Sequence, residues 1–315
     1  METTTETHQT VTTEKTESLG DRMKAYEEST RSYIDHKLPL IMRLDGHSFS
    51  KFTRGLKKPY EEWLHKIMVK VTATLVNDYN AVLGYTQSDE ITLIFLPHML
   101  EGVHQPYIFN NQIQKLVSLA ASNATNIFTM ELLSLIQNKE IVPEDYKSQT
   151  YEKLSKPRAY FDARIFNVPS LTECYNNVYW RSTYDCIRNS ISMTAQTHFP
   201  HKSIHGLSTK QLLQKLKDEK QLDWEQMDPE FKYGTFVKKR VVFKPQQNVS
   251  QTTNEEESAQ NLVQRRKLFA FSLHLPKPDE NIQEFLLSKY YQDDNEEMKK
   301  FVVKTYFVDQ PQDEE

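Results

Sequence analysis

The sequence contains little glycine and cysteine and has no long apolar run. Seven glycines in 315 residues are too few for an all-β protein that is rich in glycine. Two cysteines, Cys174 and Cys186, cannot form a disulfide framework, which predicts a reducing compartment. No stretch reaches the roughly 18 consecutive apolar residues of a membrane span. Residues 1–19 are acidic and lack an apolar segment, which disfavours a secretory or mitochondrial leader. We therefore expect a cytoplasmic protein without a membrane partner.

A strong positive charge is also missing, since the formal net charge is -4. The acidic residues are concentrated at the ends: residues 1–19 carry -3 and residues 309–315 carry -4, so the remainder carries +3. Without the Glu255–Glu257 run, that remainder carries +6. The central part is therefore mildly basic, which permits phosphate binding without requiring it.

Strands and helices alternate in the first half of the sequence. The hydrophobic fraction of 38% predicts a packed core. Short apolar runs predict strands, and apolar residues at helical spacing predict helices. The order is strand, helix, strand, strand, helix, strand, which is the βαββαβ topology of ferredoxin-like proteins and polymerase palms. We therefore predict an α+β fold, with strands at 38–45, 82–87, 91–95 and 161–169, and helices at 60–79 and 113–127.

The chain beyond Pro169 is predicted to be mostly helical, with strands at 233–243 and 265–275. A polar, low-complexity segment separates these two strands and is predicted to be disordered. The predicted organisation is a disordered tail (1–19), a palm-like catalytic core (20–170), a helical RNA-binding extension (171–308) with a disordered loop at about 245–264, and an acidic tail (309–315).

Acidic side chains occur where two predicted neighbouring strands meet. Asp45 ends the first strand, and Asp89 and Glu90 lie at the tip of the following hairpin. Two-metal phosphoryl transfer uses such convergent acids, and magnesium needs only one or two protein carboxylates. The alternative is that Asp45 caps a turn and that the hairpin tip is simply solvated.

An ordered set of motifs runs along the chain: RLDGHSFSKF (43–52), LKKP (56–59), YTQSDEITLIF (85–95), FDARIFNVPS (161–170), WRSTYDCIRNSIS (180–192) and FKYGTFVKKR (231–240). Together these motifs resemble those of the tRNA-histidine guanylyltransferase-like family of 3′-to-5′ RNA polymerases. The resemblance implies two Mg²⁺ ions bound by Asp45, the Gly46 carbonyl and Asp89, with Glu90 as an adjacent essential acid. It also implies ATP and GTP or other nucleoside triphosphates as substrates.

Further side chains are candidates for substrate contacts. Arg43 lies two residues before Asp45 on the same strand face and suits a triphosphate, while Phe49 is expected to face the nucleotide. Each candidate has an alternative as an ordinary surface residue, or as a core aromatic for Phe49. The predicted nucleotide contacts are Arg43, His47, Phe49, Lys58, Ser88 and Asn189, and the predicted RNA contacts are Arg164, Arg181, Arg188 and Lys202.

Three departures from the family pattern bear on the substrate. Ile187 stands where eukaryotic members have histidine, and Ala163 and Thr86 replace glycines. The stretches IRNSIS (187–192) and HKSIHGLSTKQL (201–212) resemble the bacterial-type branch, which implies template-dependent repair of the 5′ end of tRNA or another structured RNA. The alternatives are addition of a single guanylate to tRNA-histidine, a nucleotidyl cyclase, and a non-catalytic RNA-binding protein. The resemblance also implies a homotetramer.

Overall fold

The computed structural model describes residues 17–245, 262–293 and 295–308. An antiparallel seven-stranded sheet forms its centre, in the order β6-β1-β3-β2-β7-β8-β9, and β4 pairs with β5 in a separate hairpin. The strands are β1 (Leu40–His47), β2 (Leu83–Gln87), β3 (Glu90–Phe95), β4 (His98–Leu100), β5 (Val103–Gln105), β6 (Tyr160–Asn167), β7 (Thr235–Pro245), β8 (Leu262–Leu273) and β9 (Val302–Phe307).

Helices cover both faces of the sheet. They are α1 (Leu19–Glu28), α2 (Phe49–Phe52), α3 (Glu62–Asp78), α4 (Ile113–Gln137), α5 (Ser148–Ser155), α6 (Leu171–Tyr179), α7 (Ile187–His198), α8 (His201–Ile204), α9 (Thr209–Lys220), α10 (Pro229–Tyr233), α11 (Glu280–Leu287) and α12 (Glu296–Lys299). A π-helical turn, Trp180–Cys186, joins α6 to α7 without a break. Among the helices of the described residues, none is long and apolar enough to cross a membrane.

The predicted α+β, palm-like fold is confirmed. Strands β6, β1, β3 and β2 lie in the order that the split βαβ topology requires, with α3 and α4 as the two crossover helices. Strand β7 then pairs with β2, so the chain beyond residue 170 continues the same sheet. The sequence analysis missed the edge strand β9, the helix α5 and the β4–β5 hairpin.

Strand β1 is buried on both faces because its side chains alternate between two cores. Leu40, Met42 and Leu44 pack into the cluster formed with α3 and α4. Ile41 instead packs on the opposite face, in the cluster that includes Tyr175 of α6. Since Arg43 and Asp45 continue the Ile41 row, their side chains emerge on the face covered by α6.

The predicted disordered loop at 245–264 lies mostly outside the described residues. Its two ends are an exception, because Pro245 pairs with Leu262 and Lys244 with Val263 in the β7–β8 ladder. The prediction was therefore wrong at these ends, because the paired strands extend further than the polar composition suggested. The acidic tail at 309–315 and residues 1–16 also lie outside the described residues. Leu19, assigned to the tail, begins α1, where the Ser18 hydroxyl accepts a hydrogen bond from Asp21 N–H.

Candidate active site

Strands β1 and β3 bring the predicted acids together at one edge of the sheet. Asp45 is the register partner of Glu90 on one side and of Asp162 on the other. The N–H of Gly46 donates to the carbonyl oxygen of Asp89 at 3.1 Å. Asp89 follows Ser88, which has a left-handed φ of 54° and tightens the β2–β3 turn. Three stretches that are distant in sequence therefore place carboxylates at neighbouring positions on one edge of the sheet.

Asp89 is the carboxylate best suited to a cation. Burial raises its pKa to about 6; Asp45 and Glu90 add to the rise, against the hydrogen bond that the Ser88 hydroxyl donates at 3.0 Å. Within the described residues no lysine or arginine forms an ion pair with Asp89. A divalent cation would relieve the repulsion between these acids, so the residues fit magnesium, which binds few protein oxygens. Among the described residues, no three or more His, Cys, Asp or Glu side chains are grouped so that they could hold a metal ion by themselves.

Glu90 points into a network of charges rather than toward solvent. It forms an ion pair with Arg43 and a second with Arg181 at 2.9 Å. Arg181 also contacts Asp185 at 3.1 Å, and Asp185 contacts Arg188 at 2.6 Å. The π-helical turn carries both Arg181 and Asp185, and such turns are frequent at functional sites. The network ties β1 and β3 to the helices that follow Pro169.

Arg181, predicted as an RNA contact, belongs to this network. Its side chain is only 13% exposed and is held between two carboxylates, Glu90 and Asp185. Arg43 also forms an ion pair with Glu90. Its side chain therefore faces the active site with its charge already paired. Sequence spacing gave no sign of the shared partner Glu90, because it lies 47 residues from Arg43 and 91 residues from Arg181.

The structure corrects the assignment of Phe49 to the nucleotide contacts and favours the alternative, a core aromatic. Its ring is 3% exposed and lies among Phe52, Phe128 and Phe161, with ring centroids 5.1 to 5.4 Å away. A Cβ atom at Gly46 would lie 2.6 Å from the Cγ of Phe49. The buried ring therefore holds the backbone of Gly46 in place and is unavailable to a nucleotide.

A cleft of about 200 Å³ opens beside the acids. Ser88, Asp89 and Glu90 line one side, and Asn189 from α7 lines the other. Lys58 and Ser88 line an adjoining cavity. Three of the predicted nucleotide contacts thus line two neighbouring cavities that share Ser88.

The remaining predicted contacts lie at the surface. Arg164 and Arg188 are exposed and pair with Asp162 and Asp185, respectively. Lys202 is exposed on α8, and His47 is exposed at the end of β1. Their roles in binding stay predictions.

Sequence reasoning missed two carboxylates. Asp162 lies in the FDAR motif, and the predicted topology, which puts β6 beside β1, was the signal that could have identified it. Glu230 is buried behind the Lys58 cavity, next to His65 at 3.4 Å, and no sequence signal marks it.

Comparisons with known proteins agree with this geometry. The family model described as tRNAHis guanylyltransferase (Thg1) matches residues 20–169. A solved bacterial tRNA(His) guanylyltransferase (Thg1)-like protein in complex with ATP has 33% sequence identity and a TM-score of 0.60, covering 70% of this chain and 88% of its own. A second one, in complex with GTP, has 27% identity and a TM-score of 0.56, covering 79% and 90%.

Two other similar proteins extend the comparison. An uncharacterised protein of Acanthamoeba polyphaga mimivirus is 31% identical over 282 residues, which cover 88% of this chain and 91% of its own. The tRNA(His) guanylyltransferase of Saccharomyces cerevisiae, at 21% identity and a TM-score of 0.55, covers 68% and 91% and shows the shared fold. From the motifs, the sheet and these matches together, the chain belongs to the tRNAHis guanylyltransferase (Thg1)-like family of nucleotidyltransferases.

Proposed function

We propose that the protein adds nucleotides in the 3′-to-5′ direction to the 5′ end of tRNA or tRNA-like RNA, directed by the opposite strand. The observation that carries the proposal is the meeting of Asp45 and Asp89 beside a cleft lined by Ser88 and Asn189. Similar bacterial proteins are in complex with ATP and with GTP, which supports nucleotides as the occupants of this cleft.

The proposed reaction has two steps. An oxygen of the RNA 5′-monophosphate attacks the α-phosphorus of ATP, the bond to the β-phosphate breaks, and pyrophosphate leaves. The 3′-hydroxyl of an incoming nucleoside triphosphate then attacks the activated 5′ phosphorus, loses its proton and displaces AMP. No protein nucleophile is needed in either step, which suits a site built from carboxylates and hydrogen-bond donors.

Asp45, Asp89 and the Gly46 carbonyl would hold magnesium. When bound, two Mg²⁺ ions would lower the pKa of the attacking group and stabilise charge on the leaving group. Ser88 and Asn189 bind and orient the nucleotide from the walls of the cleft, and Lys58 does so from the adjoining cavity. Glu90 acts as a positioning residue: its ion pairs with Arg43 and Arg181 fix the strand ends that carry the two aspartates.

The template-directed activity is favoured over addition of one guanylate. Ile187 replaces the histidine of the eukaryotic pattern, and the two bacterial Thg1-like proteins are more similar in sequence than the yeast enzyme. Watson–Crick pairing would then select the added base, while protein contacts to phosphates only position the RNA.

A set of truncated tRNAs tests the proposal. Several tRNA identities lacking the 5′ nucleotide, each with a different templating base, are incubated with ATP, all four nucleoside triphosphates and magnesium. We expect all of them to be extended by the base complementary to the template. Extension of tRNA-histidine alone, whatever the template, would instead favour the single-guanylate activity. Binding without extension would favour a non-catalytic RNA-binding protein.

The assembly state belongs to the same proposal. We expect a homotetramer, as the family resemblance implies, and light scattering coupled to size exclusion measures it directly.

A further inference from the structure

A basic groove lies on the side of the acids away from the nucleotide cleft. It encloses about 540 Å³. We propose that this basic groove binds the phosphate backbone of the RNA strand whose 5′ end enters the active site. The inference rests on the proposed function, because it names where the second substrate lies. The groove is lined by His47, Ser48, Lys51, Phe52, Gln149, Glu152, Lys153, Lys156, Arg158 and Tyr160.

The register of the sheet places the basic groove next to the acids. His47 pairs with Tyr160, and both line the groove. Two positions back along the same strands, Asp45 pairs with Asp162. Two residues of strand span roughly 7 Å. An RNA strand lying in the basic groove would therefore have its 5′-terminal phosphate within reach of Asp45.

The nucleotide cleft lies on the other side of Asp45. On that side Asp45 pairs with Glu90 of β3, and Glu90 pairs in turn with Gln87 of β2, which lines the cleft with Ser88. The acids therefore lie between the basic groove and the nucleotide cleft. A reaction that joins two phosphate-bearing substrates needs one on each side of the metal-binding carboxylates.

The basic groove has a surplus of positive charge. Lys51, Lys153, Lys156 and Arg158 line it, against the single carboxylate of Glu152. That carboxylate lies 3.6 Å from Lys156, and both side chains are exposed. Within the described residues, Lys51 and Arg158 form no ion pair. Their charges are therefore available to phosphate oxygens.

Lys153 makes different contacts from the other three cations of the basic groove. Its ammonium donates to the carbonyl oxygens of Arg54 at 2.7 Å and Lys51 at 3.2 Å. These bonds attach α5 to the turn after α2 and shape the floor of the basic groove. Burial and the nearby Arg54 charge lower the pKa of Lys153, as expected where positive charges are crowded.

An RNA strand fits the basic groove better than a free nucleotide does. Its phosphates repeat along the chain and match cations spread over α2, α5 and the segment between α5 and β6, whereas a nucleotide carries its charge at one end. Tyr160 is half exposed at the rim and offers a surface on which an unpaired base can stack.

The test compares two double variants of the full-length protein. Lys156→Gln with Arg158→Gln removes two charges from the basic groove; Lys115→Gln with Lys139→Gln removes two exposed charges elsewhere. The probe is an acceptor-stem RNA hairpin with a 5′-monophosphate and a 3′ fluorophore. Fluorescence anisotropy gives its affinity at several salt concentrations, and calorimetry gives the affinity for ATP.

We expect the groove variant to bind the hairpin about tenfold more weakly. The slope of log affinity against log salt should fall by about 2, close to one per lost phosphate contact. ATP affinity should stay at the wild-type value, and the control variant should match wild type in all measurements. An unchanged salt slope in the groove variant overturns the inference. So does weaker ATP binding with unchanged RNA binding, which would assign the groove to free triphosphate.

Failure of the proposed function has a different signature. The wild-type protein could bind the hairpin with the expected salt slope, and the groove variant could lose hairpin affinity, while neither protein extends truncated tRNA. In that case the groove assignment stands and the polymerase activity does not. If the wild type extends tRNA and the groove variant binds and extends it equally well, only the groove assignment fails.

Discussion

Replacing Glu230 by glutamine should destabilise the protein in a pH-dependent way. Glu230 is 7% exposed and accepts hydrogen bonds from the Tyr306 hydroxyl at 2.6 Å and the Lys304 ammonium at 2.5 Å. His65 of α3 lies 3.4 Å away. One carboxylate therefore connects α10 to the edge strand β9 and to the first crossover helix. Glutamine keeps the shape of the side chain but removes the charge.

The size of the effect follows from the pKa of the carboxyl group. Burial alone would raise the pKa of Glu230, but the hydrogen bonds and charges of His65, with the bonds from Lys304 and Tyr306, lower it to about 2 from an ordinary value of 4.5. The difference corresponds to about 3 kcal/mol of stability. Because the folded-state pKa is depressed, this contribution is present above pH 4.5 and is lost as the pH falls toward 2.

Urea unfolding at pH 7 and pH 3 measures the prediction. At pH 7 the Glu230→Gln variant should lose about 3 kcal/mol of unfolding free energy, and at pH 3 the deficit should shrink to about 1 kcal/mol. Glu225→Gln is the matched control, because Glu225 is 64% exposed and lies 3.6 Å from Lys232; it should change stability by less than about 0.5 kcal/mol. A Glu230→Gln deficit that is equal at both pH values would refute the reasoning.

Four further predictions concern the active site. Asp45→Ala and Asp89→Ala should each abolish nucleotide transfer while the circular-dichroism spectrum stays native, and near wild-type turnover of either would contradict the metal assignment. Because Asp89 is protonated below a pKa of about 6, magnesium-dependent turnover should fall below that pH, and the midpoint should move lower at higher magnesium concentration. Gly46→Ala should destabilise the fold by about 1–3 kcal/mol, since its methyl group meets the Phe49 ring; an unchanged melting temperature would argue against this packing. Arg181→Ala should cost about 3 kcal/mol in urea unfolding, because two largely buried carboxylates lose a partner, and a loss of RNA affinity alone would instead support a surface role.

The sequence predicted the parts of the fold that depend on local periodicity. The apolar run before Asp45 and the helical spacing of Leu64, Met68 and Val71 indicated β1 and α3, both close to their observed bounds. The element order then determined the topology, because few arrangements connect two βαβ units in one sheet. That topology by itself predicts that Asp45 and Asp89 lie at the same edge of the sheet.

Edge elements were harder to predict. Strand β9 has exposed residues alternating with half-buried ones, and its sequence VVKTYF carries no turn signal before it. Its position follows from pairing with β8, a long-range contact that local pattern does not encode.

The sequence alone determined the family, the palm-like core and the acids that meet at its edge, since motifs and periodicity are local properties of the chain. Only the tertiary structure decided what each of these side chains faces. Phe49 looked like a nucleotide contact and is a core residue, while Arg181 looked like an RNA contact and is held between carboxylates. Burial and ion pairing are properties of neighbours in space, and here the distant neighbours are Phe128 and Phe161 for Phe49 and Glu90 for Arg181.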